Sequence, residues 1–253
     1  MRSLEITAIL FFVTALMACD SNPSRKAVSG DAKEAAELQV KLGRGYMEQG
    51  ELEVALQRLQ RALQLDPRSV DAHTLMAVLH ERINRPVQAE SFYRKAERLA
   101  PDNGDVNNNL GAFLCGSGKH GEADAYFRKA LDDPFYRSPV SALANAGVCA
   151  LKAGDHVKAD GYFRQVLAAQ PDNVVALFEL ARLNYLHDDP MRARAFLQRL
   201  EANAPGDPVV LDLGQRIEAL LGDTAAANRY ASRLQNEFPD YTPDASLQGP
   251  TSR

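Results

Sequence analysis

The sequence predicts an all-α solenoid of six helix-turn-helix repeats, and three signals sharing one period predict it. Small and bulky residues return to fixed slots every 34 residues, a Gly, Asn or Asp recurs between the helices of each repeat, and a proline closes most second helices. The stretch Asn107 to Leu131, NNNLGAFLCGSGKHGEADAYFRKAL, carries the pattern most fully. Leu110, Gly111 and Leu114 share one face of a first helix, Gly118 sits in the turn, and Ala123, Phe127 and Ala130 share one face of a second helix. Gly111 and Ala123 are small because two helix backbones must approach there, and Phe127 fills the space between them.

Composition agrees with this class. The 253 residues are 45% hydrophobic, contain no Trp and only 7% aromatics, a balance suited to Ala-, Leu- and Gly-based repeats. The net charge is -4 and the pI about 5.8, with no Lys/Arg run that would track a phosphate backbone, which argues against nucleic acid as a partner.

Taken in order, residues 1–18 read as a signal peptide. Arg2 precedes an apolar run from Ile6 to Ala18, about 13 residues against the roughly 20 that a membrane-spanning helix needs. The run ends in Leu16-Met17-Ala18-Cys19, which resembles a bacterial lipobox. That resemblance implies acylation of Cys19, which becomes the mature N-terminus and anchors the chain in a membrane. Asp20 then bears on sorting, since in enteric bacteria an Asp directly after the lipidated Cys tends to retain a lipoprotein in the inner membrane. Residues 19–35 are expected to form a flexible tether.

Six repeats follow over residues 36–241: 36–69, 70–103, 104–137, 140–173, 174–207 and 208–241, with Ser138 and Pro139 as an extra pair after the third. The inter-helix turn holds Gly50, Asn84, Gly118, Gly154, Asp188 and Gly222, residue types that tolerate a left-handed backbone. Pro67, Pro101, Pro171, Pro205 and Pro239 stand at steps of 34, 70, 34 and 34, the 70 being two repeats plus the inserted pair. This is the tetratricopeptide (TPR) pattern, which predicts a right-handed superhelix. The tail, residues 242–253, has no periodicity and is expected to be disordered.

In such a superhelix the first helices line the concave face. The second, fifth, ninth, twelfth and thirteenth positions of each repeat face the groove, giving as candidate binding residues Val40, Arg44, Met47, Thr74, Val78, Arg82, Asn108, Ala112, Phe178, Arg182 and Tyr185. A partly apolar groove with Arg and Asn donors suits a peptide or helix with apolar anchors, Phe178 and Tyr185 foremost. The alternative for these two aromatics is packing between repeats. Asn109 and Asn145 occupy one slot of the TPR carboxylate clamp, but its Lys positions are not filled. Phe92, Tyr126, Tyr162, Phe196 and Tyr230 recur at one position of the second helices and read as scaffold.

Cys115 and Cys149 fall one repeat apart on neighbouring first helices. Two readings stand: a disulfide, which persists in an oxidising compartment, or two separately buried thiols. No positioned His base accompanies either cysteine, His80-Glu81 lacks the second His of a zinc-protease motif, and no Gly-rich phosphate loop or nucleophile elbow occurs. The expectation is a non-enzymatic protein with no metal, no cofactor and no small-molecule substrate.

The order of lipobox and six repeats, with Asn108-Asn109-Leu110-Gly111-Ala112-Phe113-Leu114, the GKHGEA turn and the ANAGVCALKAGD stretch, resembles the PilF/PilW family of type IV pilus biogenesis lipoproteins. Asp133, Tyr136 and Ser138, spaced D-x-x-Y-x-S, are similar to a D-x-x-Y/F-x-x-x-S pattern that the family carries at its longer third-to-fourth junction. The resemblance implies a pilotin or stability factor, held on the periplasmic face of the outer membrane by its lipid, that binds secretin subunits and assists their localisation and multimerisation. Asp20 departs from that picture and leaves the inner membrane open as the destination. The other reading is a general periplasmic TPR scaffold for envelope or polysaccharide assembly.

Overall fold

The structure, a computed structural model, describes residues 29–204, 206–243 and 247. The signal segment, Cys19, Asp20 and the tether as far as residue 28 lie outside the described residues, as does most of the tail. The described residues form twelve helices and no strand, the all-α solenoid that the period predicts. The helices pair as α1 (Gly30–Glu48) with α2 (Leu52–Leu65), α3 (Val70–Arg82) with α4 (Pro86–Leu99), and α5 (Gly104–Gly116) with α6 (His120–Asp132). Then come α7 (Pro139–Lys152) with α8 (His156–Ala169), α9 (Val174–Leu186) with α10 (Pro190–Asn203), and α11 (Pro208–Leu220) with α12 (Thr224–Glu237).

Local chemistry starts and stops these helices. Ser69, Asn103, Asn173 and Asp207 cap four of the first helices, each side-chain oxygen accepting from a backbone N–H in the first turn. Asp155, Asp189 and Asp223 do the same for three second helices, and Pro86 and Pro190 occupy the first turn of two, where no N–H is needed. The six turn residues all adopt positive φ, from 54° at Asn84 and 58° at Asp188 to 82° at Gly50, so the pairs reverse where the sequence places its left-handed residues.

Within a repeat the two helices meet at a small residue facing a bulky one. A Cβ built on Gly111 would lie 2.9 Å from the Phe127 ring, and one on Gly147 would lie 2.8 Å from Phe163. Phe127 and Phe163 are fully buried, each burial stabilising by about 1.5–3 kcal/mol. Repeats two and five use Ala77 and Ala181 in the same slot, both fully buried. Consecutive first helices also touch, α1 with α3, α5 with α7 and α9 with α11, and together make the inner layer. The second-helix tyrosines act as scaffold: Tyr162 donates to Asp124 at 2.6 Å and Tyr230 to Glu201 at 2.6 Å.

Two boundaries differ from the sequence reading. Helix α1 begins at Gly30, so residues 30–35 belong to the fold rather than to the tether. The Ser29 hydroxyl accepts from the Ala32 N–H at 3.2 Å, Asp31 sits in the first turn, and Ala36 is buried. In the tail, Leu247 is not free: it is fully buried in the core of the last two repeats. A single apolar residue in a polar stretch has no period, so periodicity could not find it.

The junction of repeats three and four is braced. Asp133 Oδ2 accepts from the Gly104 N–H at 2.8 Å, at the start of α5, and Oδ1 accepts from the Phe135 N–H at 2.9 Å. Tyr136 is buried against Gly104, where an added Cβ would lie 2.5 Å from its ring. Phe135 is left 87% exposed. Cys115 on α5 and Cys149 on α7 are joined by a disulfide, their Cα atoms 5.7 Å apart.

Candidate protein-binding groove

The inner layer holds two hollows. The first, about 430 Å³, lies across α1, α3 and α5 and brings together Arg44, Met47, Thr74, Val78 and Arg82, all predicted from the register. Its floor is apolar, with Leu75, Val78 and Val106. Its wall carries Glu48, Asp71 and Asp105 besides the two arginines, and Asn109 reaches it from α5. The second, about 400 Å³, lies across α9, the end of α10 and the start of α11. It is lined by Val174, Val175, Phe178, Leu200, Ala204, Val209 and Val210, with Asp207 the one charged member.

The predicted residues do not contribute equally. Arg44 is exposed and has no ion pair among the described residues. Arg82 is already engaged, its Nη1 donating to the Met47 carbonyl at 2.7 Å, where it satisfies a carbonyl of the last turn of α1. Arg182 is engaged as well, with Nε donating to Glu179 Oε2 at 2.8 Å. Val40 and Met47 are buried in the core of the first repeats. Asn108 is half-buried and its Oδ1 accepts from Asn145 Nδ2 at 3.0 Å, tying α5 to α7, while Ala112 is exposed between the two hollows.

The two aromatics separate. Phe178 is half-buried and lines the second hollow. Tyr185 is only 7% exposed and belongs to the core formed by Leu177, Ala181, Leu213 and Ile217, so in this state it packs between repeats.

The charged rim of the first hollow follows the same register. Asp71 and Asp105 stand at the second position of their repeats, as do Val175 and Val209 at the other end. The same register that selects Arg44 and Phe178 therefore marks an acidic and an apolar end.

Behind the first hollow lie two histidines on α3. His73 Nε2 donates to the Pro67 carbonyl at 3.0 Å, and His80 stacks on Phe92 with ring centroids 5.3 Å apart. Burial pushes both imidazoles below their ordinary value of 6.5, so both are held neutral.

Comparison with known proteins agrees with this architecture. Residues 40–104 and 150–217 match two tetratricopeptide-repeat families. The type IV pilus assembly protein PilF of Pseudomonas aeruginosa is 29% identical over 242 residues, covering 93% of this chain and 95% of that protein. An uncharacterized protein of Haemophilus influenzae is 31% identical over 152 residues, 60% of this chain and 82% of that one. Among solved structures, PilW, described as a widely conserved type IV pilus biogenesis factor, superposes with a TM-score of 0.73 at 32% identity, over 84% of this chain and 96% of that chain. The P. aeruginosa PilF structure superposes with a TM-score of 0.75 at 28% identity, over 86% and 97%.

Proposed function

This chain belongs to the PilF/PilW family of tetratricopeptide-repeat proteins of type IV pilus biogenesis, and from that premise we propose that it is a lipid-anchored adaptor for secretin subunits. Cys19 carries the lipid, and the anchor holds the repeats at the periplasmic face of the outer membrane. The groove binds a segment of the secretin subunit and assists its localisation and multimerisation. The observation that carries the reading is the likeness to PilF over 93% of this chain and 95% of that protein, beside the 32% identity to PilW over 96% of that chain.

The groove supplies what such binding needs. A segment with apolar anchors can seat against Leu75, Val78 and Val106 or against Val175, Phe178 and Val209, while Arg44 supplies a charge-assisted donor. No step of this role requires bond chemistry.

The test is secretin multimer formation in strains that carry folded groove variants, such as Phe178→Ala and Arg44→Glu, beside folded outer-face variants. Loss of multimers from the groove set alone supports the adaptor. Equal loss from both sets, or loss only from the outer set, defeats it. Cys19→Ser extends the test to the anchor: it should release the protein from membranes and leave secretin in the wrong one, and labelled palmitate still entering the variant would reject lipidation at Cys19.

A further inference from the structure

The groove register continues into the sixth repeat, where its fifth and ninth positions are Asp212 and Arg216. At these positions Arg44, Thr74, Val78 and Phe178 line the two hollows. In repeat six they hold Tyr241 and Leu247 of the same chain. Tyr241 Oη donates to Asp212 Oδ2 at 3.2 Å, and Arg216 Nη1 donates to the main-chain carbonyl of Leu247 at 3.1 Å. The Leu247 side chain is fully buried in the cluster that contains Tyr185, Leu213 and Ile217.

This contact has the chemistry of peptide recognition. A guanidinium takes a backbone carbonyl, which any sequence offers, and an apolar recess takes one aliphatic side chain, which supplies selectivity. The donor is also preorganised. Asp212 is almost fully buried and holds Arg216 from the other side, Oδ1 accepting from Nε at 2.7 Å and Oδ2 from Nη2 at 3.3 Å. That pairing leaves Nη1 aimed at the carbonyl.

We infer that the Arg216 end of the groove is a subsite for an aliphatic residue of a polypeptide segment, closed in cis by Leu247. The inference rests on the reading that the groove binds protein segments, and it adds where one anchor goes and what must leave first. A segment tethered to the same chain occupies such a subsite at an effective concentration of about mM. An incoming segment therefore has to exceed that, or bind elsewhere in the groove and displace the tail afterwards. Tyr185, predicted as an anchor and found buried, is one of the residues that the departure of Leu247 would expose.

The subsite can be probed with the chain's own sequence. The probe is a fluorescent peptide of residues 242–253, TPDASLQGPTSR, added in trans to the full chain and to its Leu247→Asp variant. The variant should bind the peptide at least about tenfold more tightly than the parent, because cis competition at ~mM is removed. A Leu247→Asp peptide should not bind, and adding Arg216→Gln to the opened chain should weaken binding severalfold. Circular dichroism checks that the variant is folded; if it is not, Leu247→Ala carries the same comparison. Absence of saturable binding to the folded opened chain, equal binding to parent and variant, or indifference to the peptide's leucine would each overturn the inference. The assay contains no secretin, so failure of secretin capture would defeat the adaptor reading and leave this result standing.

Discussion

The two ends of the groove share one register and differ in chemistry. At the α1–α3–α5 end, the second-position residues are Asp71 and Asp105, and two arginines stand close by. At the α9–α11 end, the same position holds Val175 and Val209, and Val175 is 47% exposed. The backbone frame is closely similar, with a glycine against a bulky side chain at both ends: Gly43 against Leu59 and Gly111 against Phe127 near one end, and, one position earlier in its repeat, Gly214 against Tyr230 at the other. The difference lies wholly in positions that the fold does not constrain. In a solenoid each repeat contacts only its neighbours, so groove positions are free to carry specificity without loss of packing. A charged end can fix the register of a partner while an apolar end supplies affinity through desolvation.

The joint between the ends is the place to break the comparison with the largest effect. The Cys115–Cys149 disulfide closes a loop with a sequence separation of 34 between repeats three and four. The chain-entropy model gives roughly 3–4 kcal/mol of stability for such a loop. Cys149→Ala should lower the urea midpoint of the full chain correspondingly, and reduction of the parent should match it. Thiol counting on unfolded, unreduced protein without Cys19 should find none; two reactive thiols would mean that the ends are not stapled.

Next in size is the partner's response at each end. Phe178→Ala should cost roughly 1–3 kcal/mol of secretin binding with little dependence on salt, since the contact is apolar. Arg44→Glu should cost less at high ionic strength than at low, because Arg44 is exposed and screened. Titrations at two salt concentrations separate the terms. Equal salt sensitivity of the two variants would collapse the distinction between the ends.

Acid should act on the two ends unequally. His73 and His80 are held neutral by burial, with folded values below the ordinary 6.5. The unfolded chain then binds more protons than the folded one as pH falls below about 6.5, so stability present above that value is lost on acidification towards the folded values. Hydrogen exchange at pH 7.5 and 5.5 should show α3 and α4 losing more protection than α9 and α10. His80→Phe, which keeps an aromatic ring over Phe92, should reduce the difference; an unchanged slope would remove His80 as its source.

Much of this was legible before any coordinates. The period of 34 located the turns, because Asn84 and Asp188 substitute for glycine at positive φ and few other residues do so readily. That Arg44, Thr74, Val78 and Phe178 share the face that carries the two hollows was legible, because inner-face positions follow from helix geometry. What periodicity could not supply was pairing. That Arg82 is spent on the Met47 carbonyl and Arg182 on Glu179 depends on side-chain reach, not on slot. The helical start at Gly30 was hidden because its cap, Ser29, precedes the first full repeat, and Leu247 was hidden because its contact with Arg216 spans a sequence separation of 31.

The smallest expected effects lie on the outer face, and they test whether the groove comparison is the right one to make. Arg61 and Arg98 are exposed on second helices, and Arg61 makes one hydrogen bond, to Gln64 Oε1 at 3.1 Å. Exposed charges of this kind contribute little, because water and salt screen them and long side chains lose entropy when fixed. Arg61→Ala should therefore shift stability by no more than about 0.5 kcal/mol and leave secretin assembly unchanged. The Glu90–Arg94–Lys119 network is the stricter case. Lys119 and Arg94 hydrogen-bond Glu90 and hold its carboxyl below the usual range, joining repeats two and three on the outside. Its stabilisation is present above the ordinary carboxylate value and is lost as pH falls through the depressed one. Glu90 is about a quarter exposed, so screening limits Glu90→Gln to about 1 kcal/mol or less. If that variant nevertheless abolished assembly while the protein stayed folded, the partner would be reading the outer face, and the contrast between the two ends of the groove would lose its functional meaning.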